Sequence, residues 1–127
     1  KWMTFILGQV VQNSIKYART EGARIEFSAR LLDAGSAEER VVLRVSDNGC
    51  GVGAADLPRV FDKGFTGEAG RSGEAGHTGK RSTGIGLYLV KKLCDKMNVN
   101  VAATSVPGSS FTVEFSFPAN KYSYFEG

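Results

Sequence analysis

The chain has 127 residues, of which 42% are hydrophobic and 23% charged, and its net charge is +3 at pH 7. These values are ordinary for a soluble globular protein, and the length suffices for one domain, residues 1–127, with its own core. No apolar run approaches the roughly eighteen residues of a membrane-spanning helix, and we expect no nucleic acid among the partners.

The start of the chain, Lys1-Trp2-Met3, lacks a basic-then-apolar signal pattern, so we interpret the chain as a piece of a longer protein. Two cysteines, Cys50 and Cys94, are too few for a secreted disulfide scaffold. We expect both to be free thiols in a reducing compartment. With one histidine and no C-x-x-C spacing, the sequence gives no sign of a cysteine or histidine metal site.

In the first half of the chain, residues 4–18 are predicted to form a helix, followed by strands at 24–32 and 40–45. The polar segment 33–39 between the strands is typical of a hairpin turn, and a short helix is expected at 54–60. The apolar positions that predict the first helix are Phe5, Ile6, Val10, Ile15 and Tyr17.

Segment 62–82 contains six glycines and almost no apolar residues, so it is not expected to pack as a core element. A helix is predicted at 83–97, with Leu87, Val90 and Leu93 on one stripe. Residues 99–106 and 110–117 predict a second hairpin, and the alternation of the last strand predicts one buried face. The fold class is therefore α/β, with a largely antiparallel sheet and helices on one side.

The first predicted helix carries Gln9, Asn13 and Lys16 on one face, at spacings of four and three residues. This face is either the solvent side of the helix or part of a ligand site. In the second interpretation, the amide oxygen of Asn13 suits Mg²⁺, which takes hard oxygen ligands and bridges phosphates. Lys16 would then place a positive charge near the same phosphates.

Asp47 follows the second predicted strand and opens the sequence Asp47-Asn48-Gly49-Cys50-Gly51. A carboxylate in this position often stabilises its own turn, and that explanation stays open. Alternatively, Asp47 accepts a hydrogen bond from the amino group of adenine, because a carboxylate only accepts and guanine has a carbonyl in that place. Gly49 and Gly51 would let the backbone approach the base and sugar.

A glycine pair, Gly84 and Gly86, opens the last predicted helix. Free N–H groups and the positive end of the helix dipole favour an anion there, and the glycines leave room for a phosphate. In the simpler interpretation, Ser82 or Thr83 only caps the helix. Lys80 and Arg81, directly upstream, either contact a γ-phosphate or remain solvated.

In this order, the three segments resemble the N, G1 and G2 boxes of the GHKL superfamily, which includes sensor histidine kinases, gyrase and Hsp90. The resemblance covers residues 4–117. It implies a Bergerat-type fold, an α+β two-layer sandwich with a mixed, mostly antiparallel sheet, helices on one face and a flexible ATP lid. It also implies ATP and Mg²⁺ as cofactors, and it suggests that one strand of the usual five is cut off before the first helix.

The resemblance assigns roles to single residues. It makes Asn13 the Mg²⁺ ligand, gives Asn13 and Lys16 the catalytic role, and brings Tyr17 close to the nucleotide. It makes Asp47 the adenine-binding residue. The further nucleotide contacts that it implies are Gly49, Gly51, Val52, Arg81, Ser82, Thr83, Gly84, Ile85, Gly86 and Leu87. ATP-hydrolysing relatives carry a glutamate where this chain has Gln9, and because Gln9 cannot accept a proton, this departure favours phosphotransfer over hydrolysis.

Residues 60–67 (Val-Phe-Asp-Lys-Gly-Phe-Thr-Gly) resemble the F box of histidine kinases, which gyrase and Hsp90 lack. Phe61 and Phe65 are expected to anchor the lid, while Lys63 and Gly64 belong to the same nucleotide-contacting box. The lid is expected to stay mobile until nucleotide orders it. Together with residues 82–97, this box is most similar to intramembrane-sensing kinases that respond to bacitracin and other antimicrobial peptides.

The resemblance thus implies the catalytic domain of a two-component sensor histidine kinase, which donates the γ-phosphate to a histidine on a separate dimerisation domain. The sole histidine, His77, lies in the lid segment without an adjacent acid, so we do not expect it to accept phosphate. The implied partners are that dimerisation domain and a cognate response regulator. The fragment is expected to be monomeric, and the whole kinase a homodimer on the cytoplasmic side of a bacterial membrane.

Two alternative functions use the same fold. A pseudo-kinase would bind nucleotide or dock a partner, and it predicts broken pocket residues, whereas Asn13, Asp47 and the glycines are all present. A serine kinase of the anti-sigma-factor type would act alone on a partner protein, but the F box argues against it.

Overall fold

The computed structural model describes residues 2–65 and 86–118. The predictions for segment 66–85, including most of the lid, lie outside the described residues. In chain order the elements are helix α1 (Trp2–Lys16), strands β1 (Ile25–Leu32) and β2 (Arg40–Asp47), a 3-10 helix (Leu57–Arg59), helix α2 (Gly86–Lys96), and strands β3 (Asn100–Val106) and β4 (Ser110–Pro118). Neither α1 nor α2 has the length and hydrophobicity that a bilayer crossing requires.

The four strands form one sheet in the order β1-β2-β4-β3. Every adjacent pair of these strands is antiparallel, so the mixed character expected of the sheet is not found among the described strands. Both predicted hairpins are confirmed, since β1 pairs with β2 and β3 pairs with β4. The pairing of β2 with β4 joins the two hairpins and places Asp47 opposite Phe111.

The turn of the second hairpin follows from two residues. Pro107 supplies the fixed φ of the first central position, and Gly108, with φ +79°, supplies the positive φ of the second. This is the type II pattern, and it is closed by a 2.9 Å hydrogen bond from Ser109 N to the Val106 carbonyl.

The core lies between the helices and the sheet face formed by the odd-numbered residues of β2 and β4. In β4 this face consists of Phe111, Val113, Phe115 and Phe117, all buried as predicted. Burying side chains of this size stabilises the fold by about 1.5–3 kcal/mol each. Thr112, on the opposite face, is also buried because it packs against β2, where its hydroxyl lies 2.8 Å from that of Ser46.

Helix α1 differs from the prediction in both its ends and its buried face. It begins at Trp2 and ends at Lys16, because the Tyr17 carbonyl accepts a hydrogen bond from Cys50 N instead of continuing the helix. Phe5 and Ile15, which helped to predict the helix, are exposed. The residues that face the sheet are Met3, Ile6, Val10 and Ser14, spaced three or four apart.

The helix predicted at 54–60 is shorter than expected, since only Leu57–Arg59 forms a 3-10 turn. In α2 the predicted stripe is confirmed, because Val90 is buried and both Leu87 and Leu93 pack against the core. Asn98 ends α2 in the left-handed conformation, with φ 59°. The hydrogen bonds from Val99 N to the Cys94 carbonyl and from Asn98 N to the Asp95 carbonyl complete a Schellman motif.

Candidate functional site

Asp47 is the last residue of β2, and its side chain points toward the helices. Although charged, it is only 8% exposed. Its Oδ1 accepts a 2.9 Å hydrogen bond from Gly49 N, and its Oδ2 accepts a 2.7 Å bond from the Ser14 hydroxyl of α1. The turn explanation is thus correct in part, because one carboxylate oxygen does stabilise the following turn while the other is held by a helix.

Gly49 and Gly51 are needed for contacts within the protein. A Cβ built on Gly49 would lie 2.6 Å from the Tyr17 carbonyl oxygen, and one on Gly51 would lie 2.6 Å from that of Val106. Gly51 also has φ +67°, which favours glycine. Both glycines therefore let the loop after β2 press against its neighbours, a reason that the sequence interpretation did not include.

Hydrogen bonds fix this loop between α1 and the second hairpin. Cys50 N donates to the Tyr17 carbonyl at 3.2 Å, and the Cys50 carbonyl accepts from Gly108 N at 2.7 Å. Val52 N donates to the Ser105 hydroxyl at 2.7 Å, and that hydroxyl donates to the Ser110 carbonyl. The loop that carries three of the predicted site residues is consequently attached to two separate elements.

The polar face of α1 lies beside the start of α2. A Cβ built on Gly86, the first residue of α2, would lie 2.8 Å from Gln9 Oε1, so these two residues are close neighbours. Asn13 lies one turn beyond Gln9 on the same face and is half-buried. The Lys16 ammonium lies 6.0 Å from the centre of the Tyr17 ring. The structure therefore places Gln9, at the start of the predicted helix face, beside the first residue of α2.

The described residues of the F box lie against the core and beside α2. Phe61 and Phe65 are half-buried against the core, and the Arg59 guanidinium lies 5.1 Å from the centre of the Phe65 ring. Lys63 extends to α2, where its ammonium lies 5.8 Å from the Tyr88 ring. Gly64 has φ +82°. Outside the F box, the predicted contacts Leu87 and Val52 pack against the core. The other predicted contacts, Arg81, Ser82, Thr83, Gly84 and Ile85, lie outside the described residues, as do Lys80 and His77.

A cavity of about 330 Å³ opens between the end of α1 and the start of β1. It is bordered by Ser14, Ile15, Ile25, Asp47 and Gly49, among others. Asn13, Lys16 and Leu87 do not border it. The cavity therefore includes the predicted contacts Asp47 and Gly49 but not those predicted on α1 and α2.

The two cysteines are free, with Cys50 exposed and Cys94 buried. Desolvation raises the pKa of the Cys50 thiol despite an opposing backbone hydrogen bond, and the charge of Asp47 raises it further. Its thiolate fraction at neutral pH is therefore small. Among the residues that the structure describes, no cluster of three or more His, Cys, Asp or Glu is suited to hold a metal ion.

Three polar side chains that organise the site were not predicted. Ser14 holds Asp47, Ser105 holds the loop at Val52, and Asn48 bonds the backbone of Gly22 and Arg24 at 2.8 Å each. The signal for Ser14 was available, because a serine interrupts an otherwise apolar row at helical spacing. Ser105 and Asn48 carry no such signal, since their partners are distant backbone groups.

The fold is shared with parts of two solved structures, one of which is a mycobacterial sensor histidine kinase. The mycobacterial sensor histidine kinase MprB matches with a TM-score of 0.72 and 17% identity, over 90% of this chain and 70% of that chain. Full-length ShkA, solved in complex with AMPPNP, matches with a TM-score of 0.67 and 23% identity, over 91% of this chain and 21% of that chain. These likenesses define the class of fold.

The chain belongs to the family of histidine kinase-, DNA gyrase B- and HSP90-like ATPases, whose family model matches residues 1–121. It is 44% identical over 117 residues to the sensor histidine kinase YxdK of Bacillus subtilis (strain 168), covering 92% of this chain. It is 34% identical over 118 residues to the sensor protein kinase GraS of Staphylococcus aureus (strain MRSA252), covering 93% of this chain. The chain spans only 33% and 30% of these two kinases.

These comparisons confirm the family predicted from the three motifs. The similarity to sensor kinases of Bacillus and Staphylococcus also agrees with the closer resemblance predicted from the F box and the last helix. ATP binding follows from the family itself.

Proposed function

We propose that this chain is the catalytic domain of a sensor histidine kinase, which holds Mg-ATP and donates its γ-phosphate to a histidine on another domain. The observation that carries the proposal is the buried Asp47 carboxylate, oriented by donors from α1 and from its own loop. None of the ion pairs formed by the described residues includes Asp47. A fixed, buried acceptor that forms no ion pair with a described residue is suited to an exocyclic amino group.

Asp47 thus selects adenine, because a guanine carbonyl in the same place would oppose its oxygens. The loop between Gly49 and Val52 lies beside the base and sugar, and Tyr17, whose carbonyl is bonded to this loop, forms part of the same wall. Phe61 and Phe65 anchor the described end of the F box against the core. ShkA, which shares the fold, is known in complex with AMPPNP, and this supports a nucleotide in the corresponding place here.

Asn13, Lys16 and the start of α2 contact the phosphates. The amide oxygen of Asn13 is a hard donor of the type that Mg²⁺ accepts while keeping waters and phosphate oxygens as its other ligands, so the residues present fit this ion. Bound Mg²⁺ supplies charge neutralisation to the phosphates. Lys16 adds positive charge, and the N–H groups at Gly84, Gly86 and their neighbours complete the phosphate site.

Gln9 supports phosphotransfer rather than hydrolysis. It occupies the position from which a general base would activate water, but an amide does not accept a proton. The acceptor is therefore a histidine that another domain brings into line with the γ-phosphate, because in phosphoryl transfer positioning and charge stabilisation supply most of the catalysis.

The relatives support the setting of the whole protein. The chain spans about a third of the two sensor kinases. The rest of their length leaves room for dimerisation and sensing segments. We place the whole protein at the cytoplasmic side of a bacterial membrane as a homodimer that passes phosphate to a response regulator.

A phosphotransfer assay tests this function. The isolated chain, incubated with γ-labelled ATP and Mg²⁺, should remain unlabelled and hydrolyse ATP barely above background. After addition of the kinase's dimerisation helices, joined or in trans, an acid-labile phosphate should appear on their histidine. A matched reaction with Asp47→Ala should give no transfer. Acid-labile phosphate on His77 of the isolated chain would contradict the proposal.

A further inference from the structure

Ser14 is a hydroxyl residue in the row of α1 that faces the sheet. Its neighbours in this row, Met3, Ile6 and Val10, are apolar, and Ser14 itself is only 4% exposed. A buried hydroxyl requires a hydrogen-bond partner, and here the partner is Asp47 Oδ2 at 2.7 Å. The helix thus presents one polar group to the core side, and that group contacts the predicted adenine acceptor.

We propose that Ser14 is a positioning residue for adenine recognition, which holds the Asp47 carboxylate in its binding orientation. Gly49 N bonds one carboxylate oxygen and the Ser14 hydroxyl bonds the other. Since the two donors belong to different elements, rotation of the carboxylate about its last torsion breaks both bonds. This inference rests on the proposed function, in which Asp47 binds adenine.

The two bonds still leave Asp47 able to bind a nucleotide. Each oxygen of an ionised carboxylate accepts up to about two hydrogen bonds, so one acceptor position remains on each. Ser14 directly follows Asn13 in α1, and the same helix thereby fixes both the proposed base acceptor and the proposed metal ligand. A shift of α1 relative to β2 would change both contacts together.

The cavity beside Ser14 explains why the carboxylate needs a second donor. Ser14 and Asp47 both border this space of about 330 Å³, so packing alone does not confine the carboxylate on that side. Without the hydroxyl, the side chain can turn toward the cavity. The binding orientation is then populated for only part of the time, and the apparent affinity falls by that fraction.

The cavity also permits a matched pair of variants. Ser14→Thr and Ser14→Val add side chains of nearly equal shape, which differ in the presence of the hydroxyl. Calorimetric titration of the 127-residue chain with ADP should give Ser14→Thr an affinity within about twofold of the parent. Ser14→Val should bind ADP about tenfold more weakly, equivalent to about 1.4 kcal/mol, and its preference for ADP over GDP should fall by a similar factor.

Two controls separate positioning from general stability. Ser46 directly precedes Asp47 but lies on the other face of the sheet, and its hydroxyl lies 2.8 Å from that of Thr112. Ser46→Ala therefore removes a bonded hydroxyl near the site, and it should leave the ratio of ADP affinity to GDP affinity unchanged. Ser14→Ala, which adds no atoms, replaces Ser14→Val if that variant fails to fold. Ser14→Ala should then show the same tenfold loss with a native circular dichroism spectrum.

The outcomes distinguish this inference from the proposed function. If the parent binds ADP and Asp47→Ala does not, while the Thr and Val variants bind ADP equally well, the role of Ser14 is overturned and the proposed function stands. If the parent fails to bind ADP, or Asp47→Ala binds it as well as the parent, both proposals are wrong.

Discussion

The carboxylate of Asp47 illustrates how single residues serve both the fold and the site. A buried charged group is costly unless hydrogen bonds compensate for the lost water, and here Ser14 and Gly49 provide them. Gly49 contributes its N–H group and, through its missing side chain, the close approach of the loop to Tyr17. The same contacts that stabilise this turn therefore fix the acceptor proposed for adenine.

At this scale we predict that Asn13→Ala separates metal binding from base binding. The base is assigned to the loop after β2 and the metal to α1, so the variant should keep most of its affinity for ADP without Mg²⁺. The gain in affinity on adding Mg²⁺ should be lost. Calorimetric titrations of both proteins, with Mg²⁺ and with a chelator, measure this difference; an identical response to Mg²⁺ would make Asn13 a surface residue without a metal role.

The residues proposed to have chemical roles were easier to identify from the sequence than the residues that hold them. Asp47, Asn13, Gly49 and Gly51 stand in recognisable sequence patterns. The hydroxyl of Ser14 was not predicted, because its partner lies 33 residues away in the chain. Likewise, the sequence predicted only nucleotide contacts for Gly49 and Gly51. Their close approach to the Tyr17 and Val106 carbonyls is visible only in three dimensions.

Among the elements, α2 combines a defined end with a buried thiol. Its Schellman motif at Asn98 stops the helix before β3 begins. Cys94, in the last turn of α2, is fully buried in the core. Burial, together with the nearby charge of Asp95, raises the pKa of the Cys94 thiol from its ordinary 9.0 to about 11.

This pKa predicts a loss of stability at alkaline pH. Between about pH 9 and 11 the thiol ionises in the unfolded chain but stays protonated in the folded one. The folded state then binds more protons, so the free energy of unfolding decreases as pH rises through this window. Relative to its value below pH 9, the free energy of unfolding is about 2–3 kcal/mol lower at pH 11 through this ionisation.

Urea denaturation of the parent and Cys94→Ala measures this contribution, because other titrating groups cancel in the comparison. The free energy of unfolding of the parent minus that of Cys94→Ala should be about 2–3 kcal/mol larger at pH 8 than at pH 11. A difference that does not change with pH would show that Cys94 ionises equally in both states.

Element types were predictable from the sequence, and element ends less so. The alternation in β4 and the stripe in α2 depend on local periodicity, and both are confirmed. The end of α1 depends on a hydrogen bond between Tyr17 and Cys50, which local patterns do not contain. The buried face of α1 was also only partly predicted, since the exposed Phe5 and Ile15 are as apolar as its buried residues.

On the scale of the whole molecule, three regions far apart in sequence meet at one edge of the fold. The pairing of β2 with β4 sets Asp47 opposite Phe111, and the loop after β2 bonds both α1 and the second hairpin. Helix α2 begins beside Gln9 of α1. Local signals predicted each hairpin, but the joining of the hairpins is a long-range contact that periodicity does not specify.

The arrangement makes adenine selection the property to measure. Calorimetric titration of the 127-residue chain with ATP and with GTP, each in the presence of Mg²⁺, compares the two bases directly. Facing a guanine carbonyl, the remaining acceptor position of the buried Asp47 carboxylate would have no donor, at a cost of about 1–3 kcal/mol, so GTP should bind about ten- to a hundredfold more weakly than ATP. Asp47→Ala, with a native circular dichroism spectrum, should bind neither measurably. Equal affinity of the parent for ATP and GTP would contradict the assignment of Asp47 to adenine.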